Sequence, residues 1–182
     1  MVREWVDSLR SALEREFADR PRVVTLATVG RDGAARARSV VVRRIKDDGV
    51  HLFVSDARSE KNKELRIRTE AEVVYWLASQ RVQVRLRGPA VPKRSIGARD
   101  VWKELSDATR ATFFWPAPGE PRVDAADEFP AGVGRDVEPP ESYELIRFMP
   151  MEVERLNLNP HPHDRRRWVM TEQGWQEAWL NP

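Results

Sequence analysis

The chain reads as a mainly β protein, a small antiparallel Greek-key-like β-barrel with added helices. Three observations predict this. Five strand-like runs fill most of residues 22–88. Several of them alternate polar and apolar side chains with the period of two that marks a half-buried strand. The regular strand and helix alternation of a parallel sheet is missing, which leaves antiparallel strands closing on themselves. At 182 residues the chain is long enough for one domain with a sizeable core and short for two, so 1–182 is taken as one domain.

Taken in order, residues 3–17 set Trp5, Leu9, Leu13 and Phe17 at four-residue steps with Val2 and Val6 beside them, the apolar face of an N-terminal helix within 1–17. "RVVTLATV" (22–29) reads as a strand, "GRDG" (30–33) as a turn and "ARARSVVVRRI" (35–45) as the antiparallel return. "GVHLFVSD" (49–56) is a third strand. "SDARSEKNKEL" (55–65) is then a strand end, a turn and a helix start, with Ser59 as N-cap and Glu60 in the first turn. "AEVVYWLA" (71–78) and "RVQVRLRG" (81–88) are the fourth and fifth strands. Residues 97–114 read as a helix, with Val101, Trp102, Leu105, Ala108 and Thr112 at helical spacing. Residues 115–142 are rich in Pro, Gly and acids without hydrophobic period: a lid, a partner-contacting arm or a disordered segment. "YELIRFMPMEVERLNL" (143–158) returns to strand character. The end reads as two strands joined at 172–174 that carry Trp168, Trp175 and Trp179. Burying an aromatic side chain contributes roughly 1.5 to 3 kcal/mol, so this tail is expected to be structural, with 143–182 completing the barrel.

Charge and composition narrow the function. Lys plus Arg total 31 against 29 Asp plus Glu, a net charge of +2 that is too small for a general nucleic-acid footprint. The absence of cysteine excludes disulfides, thiolate metal sites and thiol nucleophiles. No apolar run approaches the roughly 20 residues of a membrane span. Glu4, Asp7, Glu14 and Glu16 argue against a transit peptide, and a cytoplasmic enzyme or binding protein is expected.

The helix start at Ser59 exposes unpaired backbone N–H groups beside Lys61, a combination that favours an anion such as phosphate and also fits a capped surface helix. Lysines are few, namely Lys46, Lys61, Lys63, Lys93 and Lys103, so one at a helix start is informative. On 35–45, Arg36 and Arg38 share a face with Val40 and Val42, while Val41 and Arg43 face the other way; two cations about 7 Å apart either bracket a polyanion or are solvated. On 81–87, Arg81, Gln83, Arg85 and Arg87 form a polar face open to solvent or to a polar ligand. "HPHD" offers His161, His163 and Asp164, but only His51 remains to complete a metal site, and no metal is expected. G-x-S-x-G, H-E-x-x-H, P-loop and G-x-G-x-x-G signatures are all missing. With so few acids, bases or nucleophiles arranged for catalysis, an enzyme here borrows its chemistry from an organic cofactor.

Five motifs in order then carry a resemblance: R-x-V-V-V-R (38–43), F-V-S-D-x-x-S-x-K (53–61), W-x6-Q-V-R-x-x-G (76–88), H-D-R (163–165) and the closing G-W-x4-L-N-P. Together they resemble the pyridoxamine 5'-phosphate oxidase family, and "VWKELSDATRATFFWPAPG" resembles its related FMN-binding branch. The resemblance implies an FMN-binding split barrel, usually a homodimer with flavin at the subunit interface, acting as an FMN-dependent oxidoreductase on a small molecule. It implies that Arg38 and Lys61 meet the FMN phosphate with Val54, Ser55 and Ser59 near it, and that Ser39, Val40 and Val41 lie along the flavin. Gln83 comes near the ring, Arg165 arrives with the C-terminal segment, and Arg43 and His163 are the candidate catalytic groups. The departures are Glu60 where an arginine is usual, unless Arg58 or Arg36 replaces it, and Arg43 at a lysine position. By spacing, Arg155 stands where a flavin-contacting tryptophan is found and His161 where an arginine holds the substrate phosphate. The Tyr, Arg and Ser trio that follows the barrel strands in true oxidases is not found. These departures leave FMN in place and count against pyridoxamine 5'-phosphate as substrate. The alternatives are a non-catalytic flavin carrier, an authentic oxidase with a rearranged phosphate pocket, and a nucleic-acid binder using the arginine face of 81–87.

Overall fold

The structure is a computed structural model and describes residues 2–94, 97–122 and 129–182, with side chains from Glu4 onward. Helix α1 (Val2–Phe17) turns Trp5, Val6, Leu9, Ala12 and Leu13 into the core, as its four-residue apolar steps dictate; the Val2 side chain lies outside the described residues. Strands β1 (Val23–Val29), β2 (Ala35–Ile45) and β3 (His51–Asp56) follow, then helix α2 (Glu60–Ile67), β4 (Glu70–Leu77) and β5 (Val82–Lys93). After helices α3 (Ala98–Glu104) and α4 (Asp107–Ala111) come β6 (Tyr143–Phe148), β7 (Glu152–Asn157), β8 (Asp164–Thr171) and β9 (Gly174–Leu180).

All neighbouring strands run antiparallel, and β4 pairs with both β1 and β5, so β1, β2, β3, β6, β5 and β4 close a six-stranded barrel. Alternation sends Val24, Leu26, Val40, Val42, Phe53, Val73, Tyr75, Val84 and Leu86 inward to one core. Helix α1 closes one end: Arg10 donates to the Ile45 carbonyl (2.7 Å), and Gln80, in the β4–β5 turn, donates to that of Ala12 (2.8 Å). Helix α2 lies at the other end, where its Glu64 meets Thr28 and Arg38. A second core of Val50, Leu52, Val101, Trp102, Leu105, Phe113, Tyr143 and Leu145 sits between the barrel wall and α3.

Two expected elements differ, the helix over 97–114 and the barrel-completing tail. The helix expected over 97–114 is broken at Leu105 and Ser106. Ser106 Oγ accepts from the Thr109 amide (3.2 Å) and starts a new helix, while the buried Arg110 guanidinium donates to the carbonyls of Trp102 and Leu105 and so satisfies the end of α3. Residues 143–158 form two strands, turned at Met149–Met151 because Pro150 cannot extend a ladder. That turn crosses β5 at Gly88, where a Cβ would lie 2.0 Å from the Met149 carbonyl oxygen. Of 143–182, only β6 is a stave of the barrel; β7, β8 and β9 extend the sheet outward from β5. Trp168 and Trp175 are buried, whereas Trp179 is exposed with the Arg166 guanidinium 3.9 Å from its ring centre. The described part of 115–142 contains no helix or strand beyond a short turn, and its residues 123–128 lie outside the description.

Candidate functional site

β2 is laddered to β1 through residues 35–41, yet it meets β3 only from Val42 onward, and the end of β3 (Val54, Ser55, Asp56) pairs with β6 alone. The Val42 amide bonds back to Arg22, so the backbone groups of Val40 and Arg38 also face β1, and those of Ser39 and Val41 turn to the open edge. Unpaired backbone groups of this kind require water or a ligand. The split between β2 and β3 runs toward the start of α2.

There Ser59 has extended N-cap dihedrals (φ −66, ψ 151), but its hydroxyl does not cap; it donates to the Asp56 carbonyl (2.7 Å). The amides of Glu60 and Lys61 are left with no acceptor among the described residues. Lys61 Nζ is half-buried and donates to Ser59 Oγ (3.2 Å), and no described carboxylate lies within ion-pair distance of it. Burial first, and the neighbouring Arg38 charge second, hold the Lys61 ammonium below its usual pKa.

Arg38 differs. It lies on the inward face with Val40 and Val42, and its guanidinium donates to Thr28 Oγ1 (2.5 Å) and to Glu64 Oε2 (2.8 Å), while Thr28 Oγ1 itself donates to Glu64 (2.6 Å). Neither Thr28 nor Glu64 stood out in the sequence; the signal available was a carboxylate three residues after Lys61, one helical turn along α2. Ser55 is buried and donates to Asn62 Oδ1 (2.7 Å), and Val54 turns to the second core. Both cations considered as replacements at the Glu60 position are engaged: Arg58 by Asp56 (2.6 Å) and Arg36 by Asp32 (2.7 Å).

A second group of expected residues sits elsewhere. Register places Trp76, Gln83, Leu156, Arg165 and Leu180 in one row across β4, β5, β7, β8 and β9, on the outer face. Arg165 bonds Glu154 (2.9 Å). Leu156 thus lines up with Gln83 and Arg165, whereas Arg155 faces the opposite side of the sheet and bonds Asp164 (2.9 Å). Arg85 and Arg87 share Glu72 (2.6 and 2.9 Å) and Arg87 also meets Glu152 (3.2 Å), which offsets much of the charge of that arginine face. Arg43 sits on a β-bulge, away from His163, which is exposed on the β7–β8 hairpin and bonds the Pro160 carbonyl (3.1 Å). No three His, Asp or Glu groups among the described residues are placed to hold a metal, and no described helix is long and apolar enough to cross a membrane.

A half-buried ammonium without a carboxylate, a second guanidinium, two free helix-start amides and an open strand edge fit a flavin nucleotide: a phosphate at one end and a planar ring system along the split. The comparisons agree with that chemistry. The family model "Pyridoxamine 5'-phosphate oxidase, FMN-binding domain" matches residues 2–92. The chain is 30% identical to the pyridoxine/pyridoxamine 5'-phosphate oxidase of Thermosynechococcus vestitus, over 96% of this chain and 85% of that protein. It is also 30% identical to the dihydrophenazinedicarboxylate synthase of Pseudomonas chlororaphis, over 100% of this chain and 82% of that one. Among solved structures it superimposes on a pyridoxamine 5'-phosphate oxidase-related, FMN binding protein from Nostoc punctiforme with TM-score 0.89 and 28% identity, covering 98% of both chains.

Proposed function

Given that the chain belongs to the FMN-binding pyridoxamine 5'-phosphate oxidase family, we propose that it is an FMN-dependent oxidoreductase working as a homodimer on a small molecule. The observation that carries this reading is the Lys61 ammonium, half-buried with no carboxylate partner among the described residues and set beside two unpaired helix-start amides. In this reading Lys61, Arg38 and those amides hold the phosphate, with Ser59 orienting Lys61. Ser55 and Val54 support the site through the end of β3, and the backbone of Ser39 to Val41 lies along the ring system. When bound, FMN supplies two-electron redox chemistry at its ring. The chain's own residues bind, orient and screen: Arg43 and His163 flank the reacting region as positioning groups, and Gln83 and Arg165 donate hydrogen bonds to the ring.

One protomer alone does not gather these residues. β2 and β5 are three staves apart by either route around the barrel, and β8 is five strand spacings from β2, about 24 Å along the sheet. A two-fold axis along the outer face of β1 and β4 would set one copy's β2 opposite its partner's β5, β7 and β8 and so complete the proposed shared site. Exposed Val23 and Trp76 lie on that face.

Pyridoxamine 5'-phosphate is expected to be a poor substrate, because exposed His161, an imidazole without the two-pronged donor fork of a guanidinium, stands where an arginine would grip its phosphate. The name of the Pseudomonas chlororaphis relative favours a carboxylated ring as the second substrate class to test.

The deciding experiment is flavin binding. Charge-assisted bonds contribute roughly 1.5 to 3 kcal/mol each, so FMN should bind more tightly than riboflavin and Lys61→Ala should narrow the gap about tenfold or more. Equal binding of the two flavins by the native protein would reject the phosphate site. Turnover with reduced nicotinamides or amines separates an oxidoreductase from a flavin carrier.

A further inference from the structure

We infer that Asn62 and Glu144 are positioning residues for the proposed phosphate site: a buried network of side chains running from β6 to the start of α2 holds Ser55 and Ser59 so that Lys61 and the first helix amides stay free for the phosphate. The inference rests on the flavin-dependent reading and adds to it residues that set phosphate recognition without touching the phosphate. Asn62 and Glu144 are both buried, and they stand on different elements, α2 and β6.

Glu144 comes first, because its partners fix the polarity of the rest. Its Oε2 accepts from the Arg66 guanidinium (2.5 Å) and from Asn62 Nδ2 (2.8 Å). Facing a carboxylate, the Asn62 amide presents its NH2 there and its oxygen on the other side, where Oδ1 accepts from the Ser55 hydroxyl (2.7 Å). Ser55 Oγ lies 3.4 Å from Ser59 Oγ, whose own proton goes to the Asp56 carbonyl (2.7 Å). The Ser59 oxygen is thereby left as an acceptor, and Lys61 Nζ donates to it (3.2 Å). Burying an amide and a carboxylate is unfavourable unless each is hydrogen-bonded, and here both are.

This network accounts for an N-cap serine that does not cap. In a capped helix the N-cap hydroxyl accepts from the second or third amide, and a side chain at the third position can reach back to the N-cap. Asn62 holds that third position, yet its side chain crosses to Ser55, and its amide bonds the Ser59 carbonyl (3.1 Å). Ser59 Oγ is kept at the Asp56 carbonyl, and the amides of Glu60 and Lys61 stay open to an anion. The turn before them is pinned as well. The Ala57 amide donates to the Ser142 carbonyl (2.7 Å), Arg66 to the Ala57 carbonyl (3.2 Å) and Arg58 to the Trp115 carbonyl (2.8 Å). Glu144 thus anchors the start of α2 to β6, and truncating it frees Asn62 to turn and Ser59 to close over the amides.

The test is the ratio of the riboflavin and FMN dissociation constants, measured on the full chain by flavin fluorescence titration. Asn62→Ala and Glu144→Ala should each lower that ratio about tenfold while changing riboflavin affinity less than about twofold. Glu144→Gln, which still offers an oxygen to both donors, should keep most of the ratio. In a Lys61→Ala background the loss from Asn62→Ala should shrink to about threefold or less, because the two residues act through a shared contact. Ser55→Ala removes a single oxygen and should lower the ratio in the same direction; it carries the test if the other truncations unfold. A network that is only structural would lower the melting temperature of these variants and leave the ratio at its native value, and that result overturns the positioning role. So does full additivity with Lys61→Ala. Equal binding of the two flavins by the native chain would instead reject the phosphate site itself, so the two failures are told apart.

Discussion

Arg38 and Lys61 are neighbouring cations with different jobs, and their partners decide which is which. Arg38 is locked to Glu64 and Thr28 at the end of the barrel, so Arg38→Ala leaves a nearly buried carboxylate unpaired; its main cost should be stability, about 3 kcal/mol, read from urea unfolding. Lys61 has no such partner, so Lys61→Ala should change stability by less than about 0.5 kcal/mol while weakening FMN. A large loss of stability in the Lys61 variant would mean its ammonium is structural. Lys61 was legible in the sequence because lysines are rare and a helix start is a local pattern; Glu64 and Thr28 were not, because their pairing joins α2 to β1 across the barrel. A third buried group, His51, is stacked among Phe53, Tyr75 and Phe148 and gives Nδ1 to the Gly49 carbonyl (2.8 Å). Burial lowers its pKa to about 4 from 6.5, against that hydrogen bond. The unfolded chain therefore takes the proton more readily between those values, and stability is complete above about pH 6.5 and falls as pH drops through the window. Between pH 7 and pH 5 the loss from this group should be about 2 kcal/mol, and His51→Phe should flatten that part of the pH profile whatever its own stability. An unchanged slope in the variant would assign the acid sensitivity elsewhere.

Elements were legible where a pattern is local and lost where a long-range contact cuts it. The five strands up to residue 88, α1 and the closing hairpin follow from period and turn residues alone, as does the outward turn of Val41 on β2. The helix over 97–114 was read as continuous because nothing local tells that Arg110 folds back onto the carbonyls of Trp102 and Leu105. The β7–β8 hairpin shows how much one residue decides: Leu156 shares a row with Gln83 and Arg165, whereas Arg155 beside it faces the other side of the sheet. Gly88 carries a prediction at this scale. It looks like an ordinary strand glycine, yet a Cβ there would sit 2.0 Å from the Met149 carbonyl oxygen, a backbone atom that cannot swing away as a side chain would. Gly88→Ala should therefore cost about 3 kcal/mol or more, the top of the overpacking range, and should shift the urea midpoint without changing the fold. A shift smaller than about 0.5 kcal/mol would mean that the β6–β7 turn gives way freely.

At the scale of the whole molecule, the decisive fact is that the proposed flavin contacts fall into two groups that one barrel holds apart. Arg38, Lys61 and the open edge of β2 lie on one side; Gln83 and Arg165 project from β5 and β8, with β1 and β4 between. A closed barrel cannot fold these staves together, so flavin binding and dimerisation should be linked: what binds across two copies stabilises their association, and dilution that separates them releases the ligand. Trp76 is the place to test this. Its side chain is half exposed (52%) on the outer face of β4, in the same row as Gln83 and Arg165, and an indole left to water in a monomer is the kind of residue that anchors an interface. Because it points away from the barrel core, Trp76→Arg should leave the monomer folded, with a melting curve still cooperative. The same change should turn the proposed dimer into monomer by light scattering at micromolar concentration and lower FMN affinity by about tenfold or more, although Trp76 stands at the end of β4 away from α2. A Trp76→Arg protein that is monomeric and still binds FMN as tightly as the native chain would show that the site is complete in one subunit, and Gln83 and Arg165 would then have to be removed from it.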